Sequence, residues 1–299
     1  MIAPAVLAGR ARYERRLEGW VDDAPGDALA HTVRVEDDER AVEVAAVAGL
    51  APGYELRAAR GRALRGAVAP EAVAGVATLT GARMVAGFGR RVASAVGTGP
   101  GAALLADAAI EVARLARQVT KLPPERAALA AGGDPWACWQ LDTTAWADLP
   151  DSCFTYSAVG RARVRPDPAG AGARPVVAMT PDLYRPRPGQ TRVFVRHRTL
   201  RLERTGGRLH LLHRLEDNVH GFELACEVDL ATGTIAHASH RTPRLPYRGV
   251  CDVPQARLAT LIGQRVDGEL RRRAAELVGG PTGCAQLYDL VADLVRLLA

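Results

Sequence analysis

In the second half of the chain, apolar and polar residues alternate with a period of two over four stretches. These are 193–204 (VFVRHRTLRLER), 208–216 (RLHLLHRLE), 221–230 (GFELACEVDL) and 234–241 (TIAHASHR). A strand with one buried face has this period. The ATGT at 231–234, between the last two stretches, is a hairpin signal. The period then lengthens to three or four residues. That spacing predicts helices over 256–263, 266–279 and 284–299, with Gly263 and Gly279 where C-caps belong. Strands followed by helices predict an α+β fold, an antiparallel sheet with helices on one face.

The first half repeats the pattern. Residues 76–115 align without a gap on 258–297, and 16 of 40 positions are identical. Alanine-rich composition does not explain matched pairs such as Gly81/Gly263, Arg83/Arg265, Gly101/Gly283, Asp107/Asp289 and Arg114/Arg296. Upstream, 35–50 (VEDDERAVEVAAVAGL) aligns with 215–230 (LEDNVHGFELACEVDL) with 5 of 16 identical. The expectation is a tandem pseudo-twofold duplication. Repeat one covers 10–122, a Trp-rich segment and linker 123–190, and repeat two 191–299. Each repeat is expected to form its own antiparallel sheet with helices on one face. Fused copies of a symmetric dimer would pack as a pseudo-dimer.

The intervening segment holds three of the four Trp and two of the five Cys, in DPWACWQLDTTAWADLPDSCFTYS at 134–157. Such aromatics fill a core or an inter-repeat seam; a lid facing a ligand is the alternative. Its carboxylates, Asp142, Asp148 and Asp151, could serve acid–base work or act as caps and turn formers. RPDPAGAGARP and RPRPGQ read as turn-rich linker.

Composition narrows the function classes. The chain of 299 residues is 48% hydrophobic and 24% charged, a globular profile. No run of about 18 apolar residues occurs, which argues against a membrane span. The opening MIAPAVLAGRARYERR carries too short an apolar stretch for an export signal. A cytoplasmic location is therefore expected, with the thiols reduced. The net charge of +6 rests on 38 Arg and one Lys, interspersed with acids. Phosphate-backbone binding wants a continuous basic stripe, so the pattern argues against nucleic acid. Small-molecule or metal ligands remain the expected partners.

The two repeats differ where chemistry could reside. Asp217 matches Asp37, but His220 stands opposite Arg40, Cys226 opposite Ala46, Cys251 opposite Ala69 and Cys284 opposite Ala102. Six of the seven His lie between 197 and 240. Cys284, Cys251 and His220 are thus the candidate catalytic residues, and Asp217, His220, Cys251 and Cys284 a candidate ligand set for Zn or Fe. Cys284 follows VGGPTG and opens the last helix, where the dipole and free N–H groups would favour its thiolate. The reading is a protein that binds a small molecule or metal through repeat two or the seam, with enzyme activity open. The alternative is a non-catalytic accessory or scaffold protein.

LEDNVHGFEL, VDLATGTI, LPYRGVCDVP and GGPTGCAQLYDL over 191–299 resemble bacterial domain-of-unknown-function family 2889. That resemblance implies no activity. The order of acidic turn, hairpin, Cys, helix and Cys-headed helix is also similar to the NifU/IscU iron–sulfur scaffolds. This second resemblance implies ligand roles for Asp217, Cys251 and Cys284, while Glu216 and Gly283 stand at that family's first Cys and its His.

Overall fold

The computed structural model describes residues 5–7, 9–166 and 174–298. Most of the RPDPAGAGARP stretch, 167–173, lies outside them. Four strands come first: β1 (Arg12–Asp23), β2 (Ala28–Asp37), β3 (Ala41–Gly49) and β4 (Leu56–Arg65). Helices α1 (Pro70–Ala77), α2 (Phe88–Val96) and α3 (Ala102–Leu115) follow. A central segment carries α4 (Pro124–Ala127), α5 (Pro135–Ala145), α6 (Ala158–Val164), β5 (Val176–Val177) and α7 (Pro181–Tyr184). The strand-then-helix order then returns. It comprises β6 (Phe194–Thr205), β7 (Arg208–Asp217), β8 (Gly221–Asp229), β9 (Thr234–Arg244) and the short β10 (Tyr247–Arg248). A 3-10 helix (Val253–Leu261), α8 (Leu270–Val278) and α9 (Ala285–Leu298) complete the fold. No helix among the described residues is long and apolar enough to cross a membrane.

The two expected sheets are one. Eight antiparallel strands run in the order β4-β3-β2-β1-β6-β7-β8-β9. β1 and β6 meet at the centre, with Leu17 opposite Arg198. The alternation read from the sequence sets the faces. Tyr13, Leu17 and Val21 of β1 and Leu209, Leu211 and Leu215 of β7 are buried. Their neighbours form cross-strand ion pairs on the other face, such as Arg34–Glu43 at 2.9 Å and Arg214–Glu223 at 2.5 Å. Helix α3 packs on β1, β2 and β3, and α9 on β7 and β8. Gly19 lets α3 approach, because a Cβ there would lie 2.8 Å from Leu115 Cδ1. Both edge strands, β4 and β9, are irregular in register; β4 carries four arginines and β9 carries Pro243. Such features blunt an open edge.

Two local expectations are corrected. The helix expected over 256–263 is 3-10 and begins at Val253, with Pro254 in its first turn. Gly263 is left-handed but stands beyond the helix cap Ile262, whereas Gly279 is itself the cap of α8. The Arg271–Arg273 run lies on α8, where Arg272 pairs with Glu269 and Glu276 and Arg273 with Asp267. It is an ion-paired helix face.

Between the sheet and the helices, at its centre, lies a buried charge network. Arg196 bridges Asp217 at 2.7 Å and Glu111 at 3.1 Å. Arg198 joins Glu111 at 2.6 Å and also Asp293. Arg15 reaches Asp107. Arg114 binds Asp289 at 2.9 Å, and Arg296 binds Asp107 at 3.0 Å. Five arginines meet five carboxylates, so the formal charges cancel. Burying ions is tolerable only with such pairing.

Candidate functional site

A cavity of about 130 Å³ opens between the central segment and the second set of elements. One wall comes from the β7–β8 turn with Val219 and His220, from Cys251 after β10, and from Gly283 to Gln286 at the head of α9. The other wall comes from Trp146, Leu149, Cys153, Thr155 and Tyr156. Arg117 and Gln118 also line it.

The β7–β8 turn is built by Asp217. Its Oδ1 accepts the backbone N–H groups of Val219 (2.8 Å) and His220 (2.6 Å), and its own N–H donates to the His220 carbonyl. Asp37 makes the same turn, accepting from Glu39 and Arg40. The difference lies in the fourth residue. Arg40 sends its guanidinium to the Ala67 carbonyl, whereas His220 folds back with Nδ1 3.1 Å from Asp217 Oδ1. Arg196 Nε holds Asp217 Oδ2 at 2.8 Å. Burial pushes the Asp217 carboxyl up, but His220, Arg196 and the Val219 N–H together hold it far below the usual range. An ionised carboxylate at this distance makes Nδ1 the donor of the pair. With Nδ1 engaged, Nε2 is the ring nitrogen left to the cavity.

Cys251 follows the tight turn after β10, where its N–H donates to Tyr247 O at 2.8 Å. Its Sγ lies 3.0 Å from Thr155 Oγ1, and burial pushes the thiol up. Cys284 is half-buried, and its N–H donates to Val278 O. Gly283 before it is required by close approach: a Cβ would lie 2.1 Å from Val278 O. Phe154 N–H donates to Gly283 O at 2.8 Å, which ties the central segment to the head of α9. The expectation of a favoured Cys284 thiolate is corrected. Burial raises its pKa and outweighs the N–H groups of Leu287 and Gln286 that hold it down. Cys226 lies mid-strand, pushed up by burial to about 12.

The cavity thus brings together three of the four expected residues, His220, Cys251 and Cys284, with Asp217 behind His220. They do not form a ligand cluster. Among the described residues, no group of three or more His, Cys, Asp or Glu side chains could hold a metal ion. Both Asp217 oxygens are engaged by Arg196, His220 and the turn.

Several lining residues escape a reading by residue type. Cys153, pushed up to about 11 by burial, reaches the cavity through its β-bridge to Gly280. Tyr156 lines it from behind a buried hub. Asp142 accepts the hydroxyls of Tyr156 (2.8 Å), Tyr184 (2.6 Å) and Tyr247. Trp139 Nε1 donates to Thr155 O, and Trp146 is buried. The aromatic density of 134–157 was the available signal, and the segment fills a seam while forming a cavity wall. Asp148 accepts from Tyr54 and Arg117.

Residues 182–298 match DUF2889, a protein family of unknown function. No curated protein matches the chain, and no solved structure does. The DUF2889 region begins within α7 and contains β6 to α9. It supplies His220, Cys251 and Cys284, whereas Arg117, Trp146, Cys153 and Tyr156 of the facing wall precede it.

Proposed function

We propose that this protein binds a small, largely apolar molecule in the cavity between the central segment and the DUF2889 region, with His220 as its principal polar contact. One observation carries the reading. A histidine oriented by an ionised aspartate through Nδ1 turns its other nitrogen to a cavity otherwise walled mainly by apolar side chains. Sites for small molecules have this composition, an apolar enclosure with few placed polar groups. Cys251 and Cys284, both neutral at pH 7, serve as wall residues.

The test is a one-ring and short-chain fragment screen by ligand-observed NMR. Ala285 is exposed and lines the cavity. Fragments are expected to bind the native chain, and Ala285→Phe, checked for fold by circular dichroism, is expected to abolish that binding. Absence of binding, or binding that Ala285→Phe leaves intact, overturns the reading.

We further infer that the chain is a tandem duplication folded about a pseudo-twofold axis at the Leu17–Arg198 pair. Three features support this. The sheet order mirrors itself about β1 and β6. The Asp37 and Asp217 turns have the same hydrogen bonds. The Arg114–Asp289 and Arg296–Asp107 contacts are reciprocal between aligned residues, as in an isologous interface. In this reading the first copy is scaffold, and substitution of Arg40 by His in the second copy created the polar contact.

A further inference from the structure

Resting on the cavity reading above, we infer that the ligand is a neutral alcohol or phenol that donates its hydroxyl hydrogen to Gln286 Oε1. The polar inventory of the lining decides this. Arg117 is the one permanent cation among the described lining residues, and its charge is paired with Asp148. Nε binds Asp148 at 2.8 Å, Nη1 the Ala113 carbonyl at 2.8 Å and Nη2 the Met84 carbonyl at 2.7 Å. Its guanidinium also lies over the Tyr54 ring, 4.3 Å from the centroid. That charge is matched by Asp148 before a carboxylate or phosphate could draw on it.

Among the other polar groups of the lining, a buried acceptor lacks a donor. His220 has Nδ1 engaged by Asp217. Gln286 keeps its buried Oε1 without a hydrogen-bond partner. Gln118 gives Nε2 to the Arg114 carbonyl at 3.2 Å, which leaves its oxygen. Thr155 Oγ1 is occupied by Cys251. A buried acceptor without a donor is costly, and a ligand hydroxyl relieves that cost where a hydrocarbon does not. An anion would set its charge against these acceptors and against the carboxylate behind His220. Size agrees: an apolar cavity of ~150 Å³ takes up benzene, and this one, at about 130 Å³, accommodates one ring or a short chain.

Phenol, toluene and benzoate separate the possibilities, because they share a ring and differ in donor and charge. Titration calorimetry on the full chain is expected to give a phenol Kd about tenfold below that of toluene, the equivalent of one hydrogen bond. Benzoate is expected to bind more weakly than either. Gln286→Met, which removes the acceptor, is expected to bring the phenol and toluene values together. Toluene binding as tightly as phenol, or benzoate binding best, overturns the donor assignment and leaves the cavity reading standing. If none of the three binds, the cavity reading falls and this inference with it.

Discussion

Two histidines away from the cavity set how the molecule responds to mild acid. His31 and His213 are fully enclosed; His213 Nδ1 lies 3.0 Å from Leu290 O, and neither ring nitrogen of His31 has a partner. Burial holds His31 at about 4 and His213 at about 3. The unfolded chain protonates both near the ordinary value of ~6.5. Below that pH the unfolded state therefore binds more protons, and stability falls as pH drops from ~6.5 toward 4. Each histidine contributes a loss of about 2 kcal/mol between pH 7 and 5. Urea unfolding at the two pH values should register this. His31→Leu, which cannot titrate, is expected to remove about half of the difference. An unchanged pH dependence would show that His31 is protonated in the folded protein.

At the level of elements, the Asp142 hub joins parts of the chain that no local pattern connects. Tyr156, Tyr184 and Tyr247 come from the loop after α5, from α7 and from β10, and all three donate to one carboxylate on α5. Burial pushes Asp142 up, and the three phenols oppose it. Asp142→Asn keeps the shape but replaces one acceptor oxygen with a donor, so one phenol loses its acceptor. The expected cost is about 1–3 kcal/mol, with faster proteolysis across 146–156, where the cavity wall is formed. Thermal unfolding and timed digestion measure the two effects; native values for both would make the hub dispensable.

This hub also marks how far the sequence could be read. The strands of the second half were legible within a residue or two, except at the far end of β9. Leu209, Leu211 and Leu215 alternate with polar neighbours because one sheet face is buried and the other wet. His220 and its turn were legible because the aligned stretch 35–50 provides a comparison. The merging of two sheets was not, because β1 and β6 both alternate whether or not they have a neighbour. Cys153, Arg117 and Gln286 were not, because they meet the cavity through contacts distant in sequence. The thiolate expectation for Cys284 failed for a related reason: a helix N-terminus is visible in sequence, but the enclosure that desolvates it is not.

For the whole molecule, the charge network holds the centre together. Glu111 is fully buried between Arg196 and Arg198, with Arg114 3.2 Å from the oxygen that Arg198 binds. Burial pushes its carboxyl up, but the three arginines bring it down to about 2. Its contribution is therefore complete above ~4.5 and is lost as pH falls toward 2, a second acid limb below that of the histidines. Glu111→Gln leaves buried guanidinium charge uncompensated. The expected loss is about 3–5 kcal/mol in urea unfolding at pH 7, with the lower limb flattened. A cost under about 1 kcal/mol would mean that the remaining carboxylates re-pair with the arginines.

The pairing of β1 with β6 has a consequence for assembly. Each of these strands, with its own half alone, would end in an open row of backbone donors and acceptors and would need a second molecule to close it. Here the closing partner is carried on the same chain, about 180 residues away, tethered through the central segment that also walls the cavity. Closure is unimolecular and is governed by an effective local concentration instead of the bulk one. The seam therefore forms equally well at any protein concentration, and dilution does not dissociate it.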